Sequence, residues 1–185
     1  MKTNVLKGAV AGTLGGIAGV VAMTTLQLLT DAITGSIGSQ PVRQLSMRGG
    51  RHDIARLKSQ ARRSGRQQSD ATILAAERLK RAVLGENISA RFRHRAGLAL
   101  HYAFGAAVGT TYGYAVEKLP LTRVLQGIPF GLVVWMVGEE VALPVLGLSD
   151  SPNEYRTKDH LNAMATHALF GVTTELVRAK ARRLL

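Results

Sequence analysis

Acidic and imidazole side chains interrupt stretches of this sequence that are apolar enough to cross a bilayer. Glu139 and Glu140 lie in VVWMVGEEVALPVLGL, His101 in AGLALHYAFGAAVGTTYGYAV, and His167 in HLNAMATHALFGVTTELV. An ionisable group in hydrocarbon is costly, so such groups turn toward a bundle interior, a water-filled cavity or one another. The pattern predicts an all-α, polytopic membrane helical bundle with a polar seam.

Four apolar segments are expected to span, at residues 8–33, 96–116, 124–148 and 160–177, within a single membrane domain of 185 residues. About 20 apolar residues in a helix cross the hydrocarbon. The first segment is uncharged from Gly8 to Thr30, 23 residues. A secretory signal has an apolar core of only about 7–15 residues, so this segment reads as a retained helix. The fourth segment is the shortest and most polar, and closes on Arg178, Lys180, Arg182 and Arg183. Its alternative is an amphipathic helix in the membrane interface, which would leave three spans plus one interfacial helix.

Residues 35–93 form the one long extramembrane segment. It opens with loop chemistry, GSIGSQPVRQLSMRGGRHD, and continues through a charged stretch with little apolar periodicity. A helix is expected near 70–84. Ser69 or Asp70 would cap it, Ile73, Leu74, Leu79, Val83 and Leu84 would form its apolar stripe, and Gly85 would close it. The segment holds thirteen Lys and Arg against four acids. The positive-inside rule would draw both it and the basic C-terminal tail to the cytoplasm, which four spans forbid. Long loops obey that rule weakly, so the four-span arrangement keeps both termini inside and the basic segment outside. Three spans would satisfy both charge clusters.

The net charge of +12 and the absence of cysteine narrow the classes further. Disulfides, thiolate zinc sites and iron–sulfur clusters are excluded. The basic residues flank apolar spans, which makes the lipid bilayer, with anionic headgroups at the basic segments, the expected partner. Nucleic acid is disfavoured, because no aromatic-interleaved basic motif accompanies the charge.

Glycines recur at helical spacing. Gly8, Gly12 and Gly16 do so in the first span, Gly105, Gly109 and Gly113 in the second, and Gly127 and Gly131 in the third. Small residues every fourth position let helix backbones approach closely in lipid. These faces, with Gly171 in the fourth span, are expected to pack helices, and one of them could pair two copies of the chain in a homo-oligomer.

The polar groups continue the same faces. The fourth span aligns His160, Met164, His167, Gly171, Glu175 and Arg178. Glu175 and Arg178, three apart, can pair locally. Glu139 and Glu140 cannot share one face, and Glu139 is the one expected to line the seam. The candidate seam is therefore His101, Glu139, His167 and Glu175. Four roles are open to it. It can relay protons, since imidazole titrates near neutrality. It can hold a metal through two imidazoles and a carboxylate, a set that suits zinc or non-haem iron without saying which. It can ligate haem through His101 and His167. Or the side chains simply satisfy one another across helices. No cofactor is the leading expectation. No HExxH, GxSxG, phosphate loop or zinc spacing occurs, so no catalytic residue is assigned and an enzyme is not the favoured reading.

His101 with the glycine-rich helix ending TTYGYAVEKLP, then QGIPFG, then LPVLGLS with its Pro144, Gly147 and Leu148 turn, then THALFGVTTELVRAKAR, resembles the YagU-like family of bacterial inner-membrane proteins. The resemblance covers roughly residues 95–183. It implies a small multi-pass protein of the bacterial inner membrane, sometimes associated with acid tolerance, and establishes no reaction. The expected function is a non-enzymatic membrane accessory or stress-tolerance protein whose seam handles protons. The alternatives are an oligomeric small-solute or ion transporter, or a haem- or metal-binding redox subunit.

Overall fold

The computed structural model describes residues 4–33, 67–85, 88–89, 92–119, 126–149, 152–155 and 157–185. The expected loop and charged stretch before residue 67 lie outside the described residues. All regular structure among those described is helical: α1 (Val5–Ile33), α2 (Gln67–Leu84), α3 (Arg93–Lys118), a rod beginning as α4 (Ile128–Trp135), a short 3-10 turn (Pro152–Glu154), and α5 (Thr157–Leu184).

Helix α1 is built inside out relative to a soluble helix. Leu6, Val10, Leu14, Ile17, Val21 and Leu28 are exposed, while Gly8, Ala11, Gly12, Gly15, Gly16 and Gly19 are buried. The glycines split into two faces. Gly8, Gly12 and Gly16 meet Gly113, Gly109 and Gly105 of antiparallel α3, where a Cβ on Gly12 would overlap the Gly109 carbonyl oxygen. The backbones therefore touch with no side chain between them, and dispersion between the two chains replaces ordinary knob packing. The Thr13 and Thr110 hydroxyls share a 2.6 Å hydrogen bond beside this seam.

Gly15 and Gly19 face the other way, onto Thr174, Arg178 and Phe170 of α5. Helix α5 also runs antiparallel to α1, and the Lys7 ammonium donates to the Leu185 carbonyl, so these helix ends share one end of the bundle. A third glycine seam joins the rod to α5, where Gly127 and Gly131 lie against Gly171 and the His167 backbone. Val20, Met23, Tyr112, Phe130 and Phe170 fill the core between the seams. Tyr112 and Phe130 stack with ring centroids 4.0 Å apart.

The rod changes register midway. After Trp135 the chain winds as a π-helix over Met136–Ala142, then returns to α geometry for Leu143–Val145. Pro144 explains the change. In an α-helix its ring would clash with the carbonyl four residues back, that of Glu140, and it has no N–H to offer. The helix widens instead, and the Leu143 N–H bonds the Gly138 carbonyl five residues back. The rod ends in a Schellman motif: Gly147 at φ +63° donates to the Pro144 carbonyl and Leu148 to that of Leu143. Only glycine adopts that backbone without cost. The helical part of the expected 124–148 segment thus starts at Ile128, with residues 124 and 125 outside the described residues.

Helix α2 corrects one expectation. Gln67–Leu84 is helical, so Ser69 and Asp70 lie within the helix rather than at its cap. Of the expected stripe, Ile73 packs against α3, while Leu74, Leu79, Val83 and Leu84 are exposed; the buried positions are Ala71 and Ala76. The reason is the neighbour. Gly97 of α3 opens a notch that receives Ile73, and the Arg93–Glu77 ion pair (2.6 Å) fixes the rotation of the helix. Gly85 closes it at φ +69°.

Two helical stretches, Val5–Thr30 and Ile128–Val145, are long and apolar enough to cross a membrane. Helices α3 and α5 are as long but carry more polar residues, buried in α5 at Thr166, His167, Thr174 and Arg178.

Candidate functional site

A cavity of about 270 Å³ opens where α1, α2, α3, the rod and α5 converge. Its walls are apolar, with Val20, Met23, Phe104, Val134, Leu143 and Phe170 prominent. Helix α2 closes one side through Ala71, Thr72 and Ala75. Three ionisable side chains reach it: His101 from α3, Glu139 from the rod and His167 from α5.

His167 is the best-defined of the three. Its Nδ1 lies 2.9 Å from the Ala163 carbonyl. A carbonyl oxygen only accepts, so Nδ1 carries the proton there and the neutral ring presents Nε2 as a lone pair. That Nε2 faces the Glu139 carboxylate at 3.9 Å, too far for a hydrogen bond. Among the described residues Glu139 makes no hydrogen bond, and neither does the His101 ring. The His167 lone pair and the Glu139 carboxyl group thus face the same space.

The two glutamates leave the π-helix on different sides. Glu139 faces the cavity, whereas Glu140 pairs with His160 Nδ1 at 2.8 Å. His160 Nε2 is 3.1 Å from the Pro152 carbonyl, so both ring nitrogens face oxygen atoms. Trp135 and Tyr155 stand edge-on to the same ring. Widened helical turns often mark functional positions. The sequence signal for this one was Pro144, four residues after Glu140.

Glu175 stands elsewhere. It does not line the cavity; Arg178 grips it at 2.6 and 2.7 Å, and the Tyr112 hydroxyl donates to it at 2.8 Å. The Arg178 guanidinium also lies 5.8 Å from the Tyr112 ring centre. Tyr112 was the partner that sequence reasoning missed, although a tyrosine in an apolar helix needs somewhere to place its hydroxyl. One turn further on, Glu117 accepts from Arg182 at 2.5 and 3.3 Å. Those bonds raise the Arg182 pKa beyond its already high range. The packing glycines Gly12, Gly16, Gly105, Gly109, Gly113, Gly127, Gly131 and Gly171 all lie at helix contacts.

As to metals, no three His, Asp or Glu side chains among the described residues converge closely enough to hold an ion. His101, Glu139 and His167 ring the cavity without closing to ligand distances.

A family model described as a protein of unknown function (DUF1440) matches residues 86–176, just under half of the chain. That stretch contains α3, the rod and most of α5, and with them all three cavity-lining ionisable residues. No curated protein and no solved structure matches the chain.

Proposed function

We propose that the chain is a small, non-enzymatic, multi-pass protein of the YagU-like kind in the bacterial inner membrane, whose His101–Glu139–His167 cluster takes up and passes on a proton in support of acid tolerance. Membrane residence is supported by the inverted packing of α1, with glycine inside and large aliphatic side chains outside. A contiguous apolar surface of that kind suits lipid, not water. The antiparallel run of α5 along α1, with Lys7 meeting Leu185, supports four spans with both termini on one side.

The single observation that carries the proton reading is the 3.9 Å approach of His167 Nε2 to Glu139. The ring is anchored through Nδ1, its free nitrogen faces the acid, and a small side-chain movement brings them within reach of one proton. The ionisable groups beyond them, Glu140 and His160, are committed to each other. The apolar cavity favours a second reading, carriage of a small solute by an oligomer of the chain.

Two measurements test the proposal. Glu139→Gln, His101→Gln and His167→Gln should each accumulate normally in the membrane and lower survival in acid. Normal abundance with normal survival in all three removes the relay. For topology, a cysteine replacing Asn153 and a reporter after Leu185 should lie on opposite faces of the membrane. Finding them on one face would mean that α5 does not span.

A further inference from the structure

We infer that the cavity is a binding site for a small lipophilic primary amine, its ammonium head held by Glu139, His167 and His101 and its apolar body packed against the surrounding walls. The inference rests on the membrane reading of the bundle and names the ligand class for the same cluster.

Size comes first. A cavity of 150 Å³ lined by aliphatic and aromatic groups admits benzene, so one of about 270 Å³ has room for a ring with a short chain, ~10 non-hydrogen atoms. The walls select an apolar body, because Met23, Phe104, Leu143 and Phe170 offer it no hydrogen bond.

The head is selected by the polarity of the three groups. Glu139 presents an acceptor carboxylate. His167 presents the Nε2 lone pair, since its Nδ1–H is held by Ala163. His101, with no partner among the described residues, can turn either an acceptor or a donor inward. The rim is therefore rich in acceptors and carries a negative charge when Glu139 is ionised. An anion meets repulsion there. A neutral alcohol satisfies a single acceptor. A primary ammonium has three N–H donors and a positive charge, matching the carboxylate and up to two imidazole nitrogens.

The same geometry explains why an ammonium suits the rim better than a metal ion. Metal bonds of about 2.0–2.2 Å require ligands to close tightly, whereas hydrogen bonds of about 2.7–3.0 Å tolerate the open ring seen here. The 3.9 Å between Glu139 and His167 leaves both free to bond a third group on the cavity side. Gly138, one residue before the acid, has nothing within 4 Å of where a Cβ would stand, so the head region is open.

The test uses the full chain in nanodiscs, with empty nanodiscs subtracted for partitioning, and isothermal titration of four probes sharing one body: 4-phenylbutylamine, its N,N-dimethyl derivative, 4-phenylbutanol and 4-phenylbutyrate. The primary amine should saturate one site and bind about tenfold or more tighter than the alcohol, as a charge-assisted hydrogen bond implies. The dimethyl amine should fall between, and the carboxylate should show no saturable binding. Glu139→Gln should weaken the amine about tenfold while leaving the alcohol within about twofold. Ala75→Phe, which fills the cavity from α2, should abolish both. Equal affinities across the four probes, or an amine that binds Glu139→Gln as it binds the native chain, would overturn the inference. If Glu139→Gln does not fold, the probe series on the native chain decides alone. Amine binding that fails while Glu139→Gln still lowers acid survival removes this inference and leaves the proton reading standing.

Discussion

Arg178 and Glu175, three residues apart on α5, share two hydrogen bonds in the bundle, and Tyr112 of α3 donates a third to the same carboxylate. The Arg178 side chain is 8% exposed, so its charge depends on this partner. Glu175→Gln leaves it buried beside a neutral amide, at an expected cost of about 3 kcal/mol. Tyr112→Phe should cost about 1 kcal/mol. Glu175→Gln combined with Arg178→Met should recover much of the loss, because both charges are then gone. Denaturation in mild detergent measures all three. A double variant no more stable than Glu175→Gln would show that the two residues are not coupled.

Gly109 tests the seam between α1 and α3. Any Cβ there meets the Gly12 carbonyl and the Gly16 backbone, neither of which can rotate away. Gly109→Ala should destabilise the bundle by about 1–3 kcal/mol and Gly109→Leu should prevent its assembly. Ala107, on the exposed side of α3, should accept leucine with little effect. Equal thermal stability of Gly109→Leu and Ala107→Leu would dissolve the argument for close packing.

Gly138 predicts the reverse. With open space around its missing side chain, Gly138→Ala should be neutral or stabilising, by up to about 1 kcal/mol from the reduced freedom of the unfolded chain. A marked loss of stability on melting would mean that the widened turn itself requires glycine.

Arg78 ties α2 to the end of the rod by donating to the carbonyls of Leu146 and Gly147, the latter at 2.9 Å. Those carbonyls are among the last of the helix and have no partner within it. Arg78→Ala should loosen α2 by about 1 kcal/mol and speed hydrogen exchange there, leaving α5 unchanged. Identical exchange in α2 would mean that its contacts with α3 suffice.

Helical class and the spacing of small residues were legible in the chain, because a period near 3.6 makes every fourth glycine a neighbour of the last, whatever lies opposite. Which face meets which helix was not. The first span holds two interleaved glycine sets, and only the assembled bundle assigns Gly8, Gly12 and Gly16 to α3 and Gly15 and Gly19 to α5. The stripe on α2 shows the limit of periodicity: its aliphatic residues were in register for a helix, yet only Ile73 enters the Gly97 notch, and Leu74, Leu79, Val83 and Leu84 stay exposed.

The polar residues divide along the same line. A carboxyl or imidazole in an apolar segment needs a partner, and sequence composition alone imposes that need. Choosing the partner takes three-dimensional placement. Glu175 is taken up by Arg178 on its own helix and Tyr112 across from it, which sets it apart from the cavity. Glu139 and Glu140, adjacent in the chain, point to different sides of the rod, and only the assembled bundle shows that one faces the cavity and the other His160. Adjacent residues on a helix diverge by roughly a quarter turn, so a change of helical register alters every contact that follows.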